Sequence, residues 1–271
     1  MTTTMPAPLD IERFPKVAAF LDAYIAGPGD VGRSDVADLS GTVERVVQND
    51  DPFPTATIDG FLPSNLYRQV LRDFDTLSFA PPKIPGAEYV GSRKASKLQD
   101  WKPGSDEGDT LWDGIARAAR APRFVRALFT RFAPIVEQNL LDPRVADATN
   151  PGFVLYANLD QGKDADEALG AHLDALHKLL TIVLYLDLSG PITAESSRLW
   201  GTAVYHDDGT RNTVEFSLNA SHQPAGHVQF RPNRAFVMPN TARSLHGVAG
   251  GEDGVTRRSL MWGYWMFSPQ R

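Results

Sequence analysis

The chain has no cysteine. That absence excludes disulfides, thiolate metal sites, iron–sulfur clusters and a cysteine nucleophile together, so any metal has to be held by His, Asp or Glu. Positive charge is also scarce. The 27 Lys and Arg stand against 33 Asp and Glu, leaving −6, and the chain as a whole lacks the positive field that a phosphate backbone requires. No apolar run is long enough to span a bilayer. The most apolar early stretch, 17–25, is broken by Asp22 and has no basic segment of the signal-peptide kind before it. The expectation is a cytoplasmic protein with neither nucleic acid nor membrane as partner. What the chain does have is bulk: 271 residues, 42% of them hydrophobic, enough for a sizeable core in one large domain or two small ones.

Residues 1–50 read as an N-terminal extension with one helix, in which Phe14, Val17, Phe20, Leu21, Tyr24 and Ile25 recur at helical spacing until Gly27-Pro28-Gly29. Such a helix packs on the main domain or on a second subunit, and a homodimer is compatible with the pattern without being required by it. A short strand ending at Asp59-Gly60 leads to a helix from Ser64, with Leu66, Tyr67, Val70, Leu71 and Phe74 on one face. Residues 81–108 are rich in Pro, Gly and charge and are expected to form a long loop that closes over a substrate or is simply solvated. Arg93 is its candidate substrate contact. Two helices follow, around 111–119 and 124–140. From Phe153 onward short β-type runs are separated by turn signals such as Asp208-Gly209, Pro232-Asn233 and Gly250-Gly251. They are expected at 153–157, 179–188, 199–205, 213–218, 227–231, 235–238, 244–248 and 257–267. The predicted class is α+β with a mainly β core, an antiparallel barrel or two-sheet jelly roll with the N-terminal helices packed outside. There is no internal repeat and no second core, so 51–271 is expected to be one domain, with helical support over 51–150 and the jelly-roll core over 151–271.

Of the six histidines, His172 is the informative one, because Asp174 follows it two residues later. In extended backbone those side chains project to one face. His246 opens a β-type run late in the chain, where a jelly roll could bring it alongside. Two His and one carboxylate leave open positions on an octahedral ion, an arrangement that suits non-haem Fe(II) and O2. The spacing alone serves a hydrogen-bonded His beside a solvated Asp equally well. A second constellation stands nearby in sequence: Arg257 and Ser259 share a strand face, and a guanidinium beside a hydroxyl can grip a carboxylate at two points. An Arg facing inward needs an anion, and a ligand carboxylate would supply it.

Taken in order, these motifs resemble the Fe(II)- and 2-oxoglutarate-dependent dioxygenases, in the branch similar to prolyl hydroxylases. The likeness starts at Asp51-Pro52-Phe53-Pro54 and Ile58-Asp59-Gly60-Phe61-Leu62-Pro63. It runs through the 169–174 and 179–186 segments, Trp200-Gly201-Thr202 and 232–236, and ends with His246-Gly247-Val248 and Arg257-Arg258-Ser259-Leu260. The resemblance implies a double-stranded β-helix of the cupin-like jelly-roll kind. It implies that His172, Asp174 and His246 bind iron and that Arg257, with Ser259 beside it, binds the distal carboxylate of 2-oxoglutarate. Tyr185 matches a position whose phenol reaches that carboxylate in relatives, Thr181 lies on the same face, and Tyr156 matches another cosubstrate-contacting tyrosine. Asn158, His177 and Trp200, with Arg93, are the candidates for the substrate side.

The resemblance also implies a reaction. Relatives that halogenate have Gly or Ala in place of the carboxylate, and Asp174 fills that position here, which favours hydroxylation of an unactivated C–H bond with release of succinate and CO2. Desaturation and cyclisation stay open. The expected substrate is a small molecule, amino-acid-like or a natural-product intermediate. The alternatives are a hydroxylase of prolyl or other protein side chains, and a jelly roll that binds a metal or sugar without catalysis.

Overall fold

The computed structural model describes residues 9–25, 38–82, 93–102, 108–145, 147–162, 169–207, 223–250 and 254–268. Five α-helices and eleven strands occur among them. The first helix, α1 (Pro15–Ile25), begins on a proline and buries Val17, Phe20, Leu21 and Tyr24. Its free N-terminal amides are satisfied from another helix: the Glu137 carboxylate accepts from the backbone N–H of Lys16 at 3.1 Å and of Val17 at 2.9 Å. Glu137 lies on α4 (Pro122–Leu140), and Phe20 stacks on Phe129 of the same helix at 4.9 Å. The N-terminal helix is thus part of the main core, in one apolar cluster with the sheet residues Leu155, Leu260 and Tyr264. Between these elements come α2 (Ser64–Phe74) and α3 (Leu111–Arg120). Thr110 and Asp113 form a capping box at the start of α3.

A seven-stranded antiparallel sheet carries the helices on one face. Its strands are β1 (Val47–Asn49), β2 (Thr55–Asp59), β3 (Lys94–Trp101), β4 (Asn150–Gln161), β6 (Lys178–Leu188), β9 (Arg234–Pro239) and β11 (Thr256–Phe267), in the order β1-β2-β9-β6-β11-β4-β3. Side chains alternate across a strand, and β11 shows the division. Leu260, Trp262, Tyr264 and Met266 pack in the cluster shared with the helices, so Arg257, Ser259, Met261, Gly263 and Trp265 face the other way. A second antiparallel sheet, β5 (Leu169–His172), β10 (His246–Val248), β7 (Thr202–Val204) and β8 (Gly226–Val228), has the order β5-β10-β7-β8. Tyr185, Phe236 and Met238 of the large sheet form a buried cluster with Val204 and Val248 of the small one, together with Trp200 and Phe230. Within the small sheet, Gly201 lets the chain before β7 lie close to β8, because a Cβ there would lie 1.9 Å from the Val228 carbonyl oxygen. The Pro232-Asn233 turn is pinned from outside: Asn233 has φ 60° and its side-chain amide exchanges two 2.8 Å hydrogen bonds with the backbone of Leu62.

Two sequence expectations are corrected here. The 81–108 stretch is not all loop, since Lys94–Trp101 forms β3, the edge strand paired with β4. Its mixed polarity suits an edge strand with one open side. The expected strand at 199–205 starts only at Thr202, because Thr193 and Ser196 form a capping box that begins the helix α5 (Ala194–Leu199). The expected strand at 213–218, most of the anticipated lid, and His222 lie outside the described residues. Among the described residues no helix is long and apolar enough to cross a membrane.

Candidate metal and anion centre

Strand pairing brings the two imidazoles together. His172 on β5 and His246 on β10 are direct cross-strand partners, with ring centroids 4.3 Å apart. Each ring is fixed in the same way. The Nδ1 of His172 lies 2.9 Å from the Gly170 carbonyl, and that of His246 lies 2.9 Å from the Ser244 carbonyl. A carbonyl only accepts, so both protons belong on Nδ1, and Nε2 is the lone-pair nitrogen of each ring. Burial pushes the His172 imidazole down to about 3, reinforced by His246, and burial also lowers His246. The pair is therefore neutral at ordinary pH, which is the form that ligates metals.

Asp174 completes the group. One candidate ligand atom from each of the three residues lies within 4.8 Å of the others. One carboxylate oxygen is already engaged: Oδ2 accepts from the Lys178 ammonium at 2.9 Å and from the Thr181 hydroxyl at 2.8 Å. The other is left for a ligand. Burial opposes ionisation of this carboxyl, but the Lys178 charge, the two imidazoles and the Lys178 hydrogen bond together outweigh it and hold Asp174 well below the usual carboxylate range. Thr181 is held in turn by Asn240, whose amide also donates to the Lys178 carbonyl. Asn139 of α4 donates to the Asn240 carbonyl at 2.9 Å. A buried polar network thus runs from helix α4 to the carboxylate. Lys178 fits because Gly263 has no side chain. A Cβ there would lie 2.6 Å from Lys178 Cε and 2.8 Å from its Cγ. Gly263→Ala should therefore force Lys178 off Asp174 and cost about 1–3 kcal/mol. Thermal melts of the metal-free protein check this; an unshifted midpoint would mean the stem relaxes freely.

The second centre lies on the same inner face of β4, β6 and β11. Arg257 is 1% exposed and Asp160 is 0% exposed, and the Arg257 Nη1 donates to Asp160 Oδ2 at 2.8 Å. Arg93 adds two bonds to the same carboxylate, from Nε at 2.6 Å and Nη2 at 3.1 Å. Burial works against an ionised Asp160, but the charges of Arg93 and Arg257 prevail and keep it below its ordinary range. The sequence reading supplied an anion for Arg257 from a ligand; the protein supplies one itself. Among the described residues, one carboxylate is thus shared by two guanidinium groups. Around it, Arg257 Nε, Ser259 Oγ and Asn158 Nδ2 are buried without a hydrogen-bond partner among the described residues. Each such orphan costs about 1–3 kcal/mol, so three at adjoining positions describe a place for an acceptor.

The remaining sequence candidates are distributed around these centres. The Tyr185 ring lies under the Arg257 guanidinium, 5.0 Å from centroid to Cζ, while its hydroxyl is 2.7 Å from Thr202 Oγ1. Thr181 is bonded to Asp174 and Asn240, at the triad end of the face. Tyr156 is half-buried beside Lys97 and Asp100. Trp200 is wholly inside the apolar cluster between the sheets. His177 is half-buried and its carbonyl accepts from Met266 N–H. Sequence reasoning puts Asp160 with Asn158 at the pocket rim and not as the partner of Arg257, and it misses Lys178 and Asn240. Asp160 had a readable sign, since it shares a strand face with Tyr156 and Asn158; Asn240 had none.

No family model matches the chain, and no curated protein matches it. Among solved structures it is similar to a Trichoplax adhaerens prolyl hydroxylase in complex with a hypoxia-inducible-factor peptide. That likeness has 15% identity and a TM-score of 0.46 over 84% of this chain and 89% of that one. A Pseudomonas putida prolyl-4-hydroxylase is similar at 14% identity and a TM-score of 0.45, over 93% of this chain and 100% of that one. An oxidoreductase of the 2OG-Fe(II) oxygenase family from Burkholderia pseudomallei has 14% identity and a TM-score of 0.44, covering 79% and 85%. At such identities and scores the chemistry has to be read from the side chains themselves.

Proposed function

We propose that the chain is an Fe(II)- and 2-oxoglutarate-dependent dioxygenase that hydroxylates an unactivated C–H bond of a small molecule. The observation that carries this reading is the pairing of two centres on one site: a neutral His pair beside a carboxylate, and a buried arginine with unpaired donors around it. They are near enough for the Arg93 charge to act on both imidazoles. His172, Asp174 and His246 would hold the iron, and an oxygen- and nitrogen-donor set with no sulfur suits that ion. Arg257 and Ser259 would hold the distal carboxylate of the cosubstrate. When bound, iron and 2-oxoglutarate together reduce O2, delivering one oxygen atom to the substrate C–H and the other to succinate as CO2 leaves.

The chain's own part is positional. Lys178 and Thr181 keep one Asp174 oxygen occupied, so that the carboxylate presents the other. The two imidazoles are 5% and 7% exposed, which limits access and favours a small substrate over a folded protein. The two sheets would then be the halves of a double-stranded β-helix within 51–271, in one domain that also takes in α1 and β1. Its helices share one apolar cluster with the large sheet.

Anaerobic addition of Fe(II) and 2-oxoglutarate tests the reading. The expected result is a visible charge-transfer absorption that requires both additions; a protein that binds the metal but shows no such band is a metal-binding jelly roll and not this enzyme. Succinate release should then be stimulated by some member of a panel of amino acids and larger metabolites. Stimulation by peptides alone would move the substrate to a protein side chain.

A further inference from the structure

We infer that Asn158 is a third donor to the distal carboxylate of 2-oxoglutarate, working beside Arg257 and Ser259; this rests on the cosubstrate reading above. Asn158 stands on β4 directly opposite Ser259 on β11 and opposite Ala95 on β3. On one side it faces a hydroxyl that is itself unpaired, and on the other a methyl that offers nothing. It is 1% exposed, yet its Nδ2 has no hydrogen-bond partner among the described residues. The next cross-strand pair is Arg257 with Asp160. Asp160 takes the Nη1 of Arg257 and both bonds from Arg93, which fixes the guanidinium while leaving its Nε unclaimed.

The three orphans therefore occupy neighbouring positions on two paired strands, and all three can donate: a guanidinium N–H, a hydroxyl and an amide N–H. Donors of this kind, gathered around the unclaimed Nε of a buried guanidinium, call for an anionic acceptor with several lone pairs. A carboxylate meets that description. Asn158 thereby belongs to the cosubstrate and not to the substrate side where its place in the sequence put it. Tyr156 and Met261, the next pair along the same two strands, are only half-buried, so the open part of the site begins one pair beyond Asn158.

The test compares two ligands by calorimetry on the full-length, Co(II)-loaded protein: 2-oxoglutarate, and 2-oxobutanoate, which has no distal carboxylate. In Asn158→Ala, 2-oxoglutarate should bind about tenfold more weakly, with 2-oxobutanoate unchanged. Asn158→Asp keeps the shape and adds a negative charge; it should weaken 2-oxoglutarate by roughly 100-fold or more while again sparing 2-oxobutanoate. Equal losses for both ligands, or none for either, would overturn the assignment by showing a general structural role or no role. Failure of the wild-type protein to bind 2-oxoglutarate would overturn the cosubstrate reading itself, and the inference with it.

Discussion

Asp174→Asn is expected to destroy metal binding and to unsettle the fold at the same time, and a second substitution should separate the two effects. The amide keeps the shape of the carboxylate but removes its charge. Lys178, only 5% exposed and bonded to Asp174 at 2.9 Å, is then left as a buried cation without its anion. Breaking a buried pair from one side costs about 3–5 kcal/mol. Losing one anionic ligand of three should weaken Co(II) or Mn(II) binding by roughly 100- to 1,000-fold. Asp174→Asn with Lys178→Met removes both charges and should recover most of the lost stability, because an apolar chain of similar length fills the Gly263 notch. Metal affinity should not recover. Thermal melts and metal titrations on the two variants measure this; recovery of metal binding in the double variant would exclude Asp174 as a ligand. A pH series of wild-type titrations adds a check. With His172 held near 3, protons scarcely compete for that ring above pH 5, and His246 is lowered as well. Metal affinity should fall less steeply from pH 8 to pH 5 than a site of ordinary histidines with pKa about 6.5 would show.

The extent to which the sequence disclosed this molecule depends on the range of the interactions. Hydrophobic periodicity located α1, α2 and α4 because each buries a single face, and alternation located β11 because one side meets helices and the other the site. The same alternation placed His172 with Asp174 and Arg257 with Ser259. It could not place partners. That Arg257 is neutralised by Asp160 depends on a β4–β11 register twelve pairs long, and no local signal carries a register. Lys178 was hidden for a related reason. Four residues after Asp174, it reads as an ordinary surface cation until Gly263, on another strand, is seen to leave room for it. Lys94–Trp101 reads as loop because an edge strand with polar residues has the composition of one; only its pairing with β4 makes it a strand.

Arg257→Met and Asp160→Asn should move cosubstrate binding in opposite directions, although they break the same 2.8 Å ion pair. In Arg257→Met, Asp160 keeps both bonds from Arg93, so the anion left behind is still paired and the stability loss should stay near about 1–3 kcal/mol. The site, however, loses a cation and an Nε donor. Affinity for 2-oxoglutarate should fall by roughly 100-fold or more, and the thermal stabilisation that 2-oxoglutarate gives the metal-loaded protein should nearly vanish. In Asp160→Asn the arginines face one another, buried, with no carboxylate between them, and the ligand-free protein should lose about 3–5 kcal/mol. The pocket then carries one positive charge more than in the wild type. An anionic ligand supplies what the variant lacks, so the midpoint shift produced by 2-oxoglutarate should exceed that of the wild type, since a ligand stabilises by its affinity for the folded state. The uncharged end of 2-oxobutanoate should give no such gain. If Asp160→Asn instead loses the 2-oxoglutarate shift along with Arg257→Met, Asp160 acts by orienting Arg257 and not by balancing its charge, since geometry alone would then limit binding.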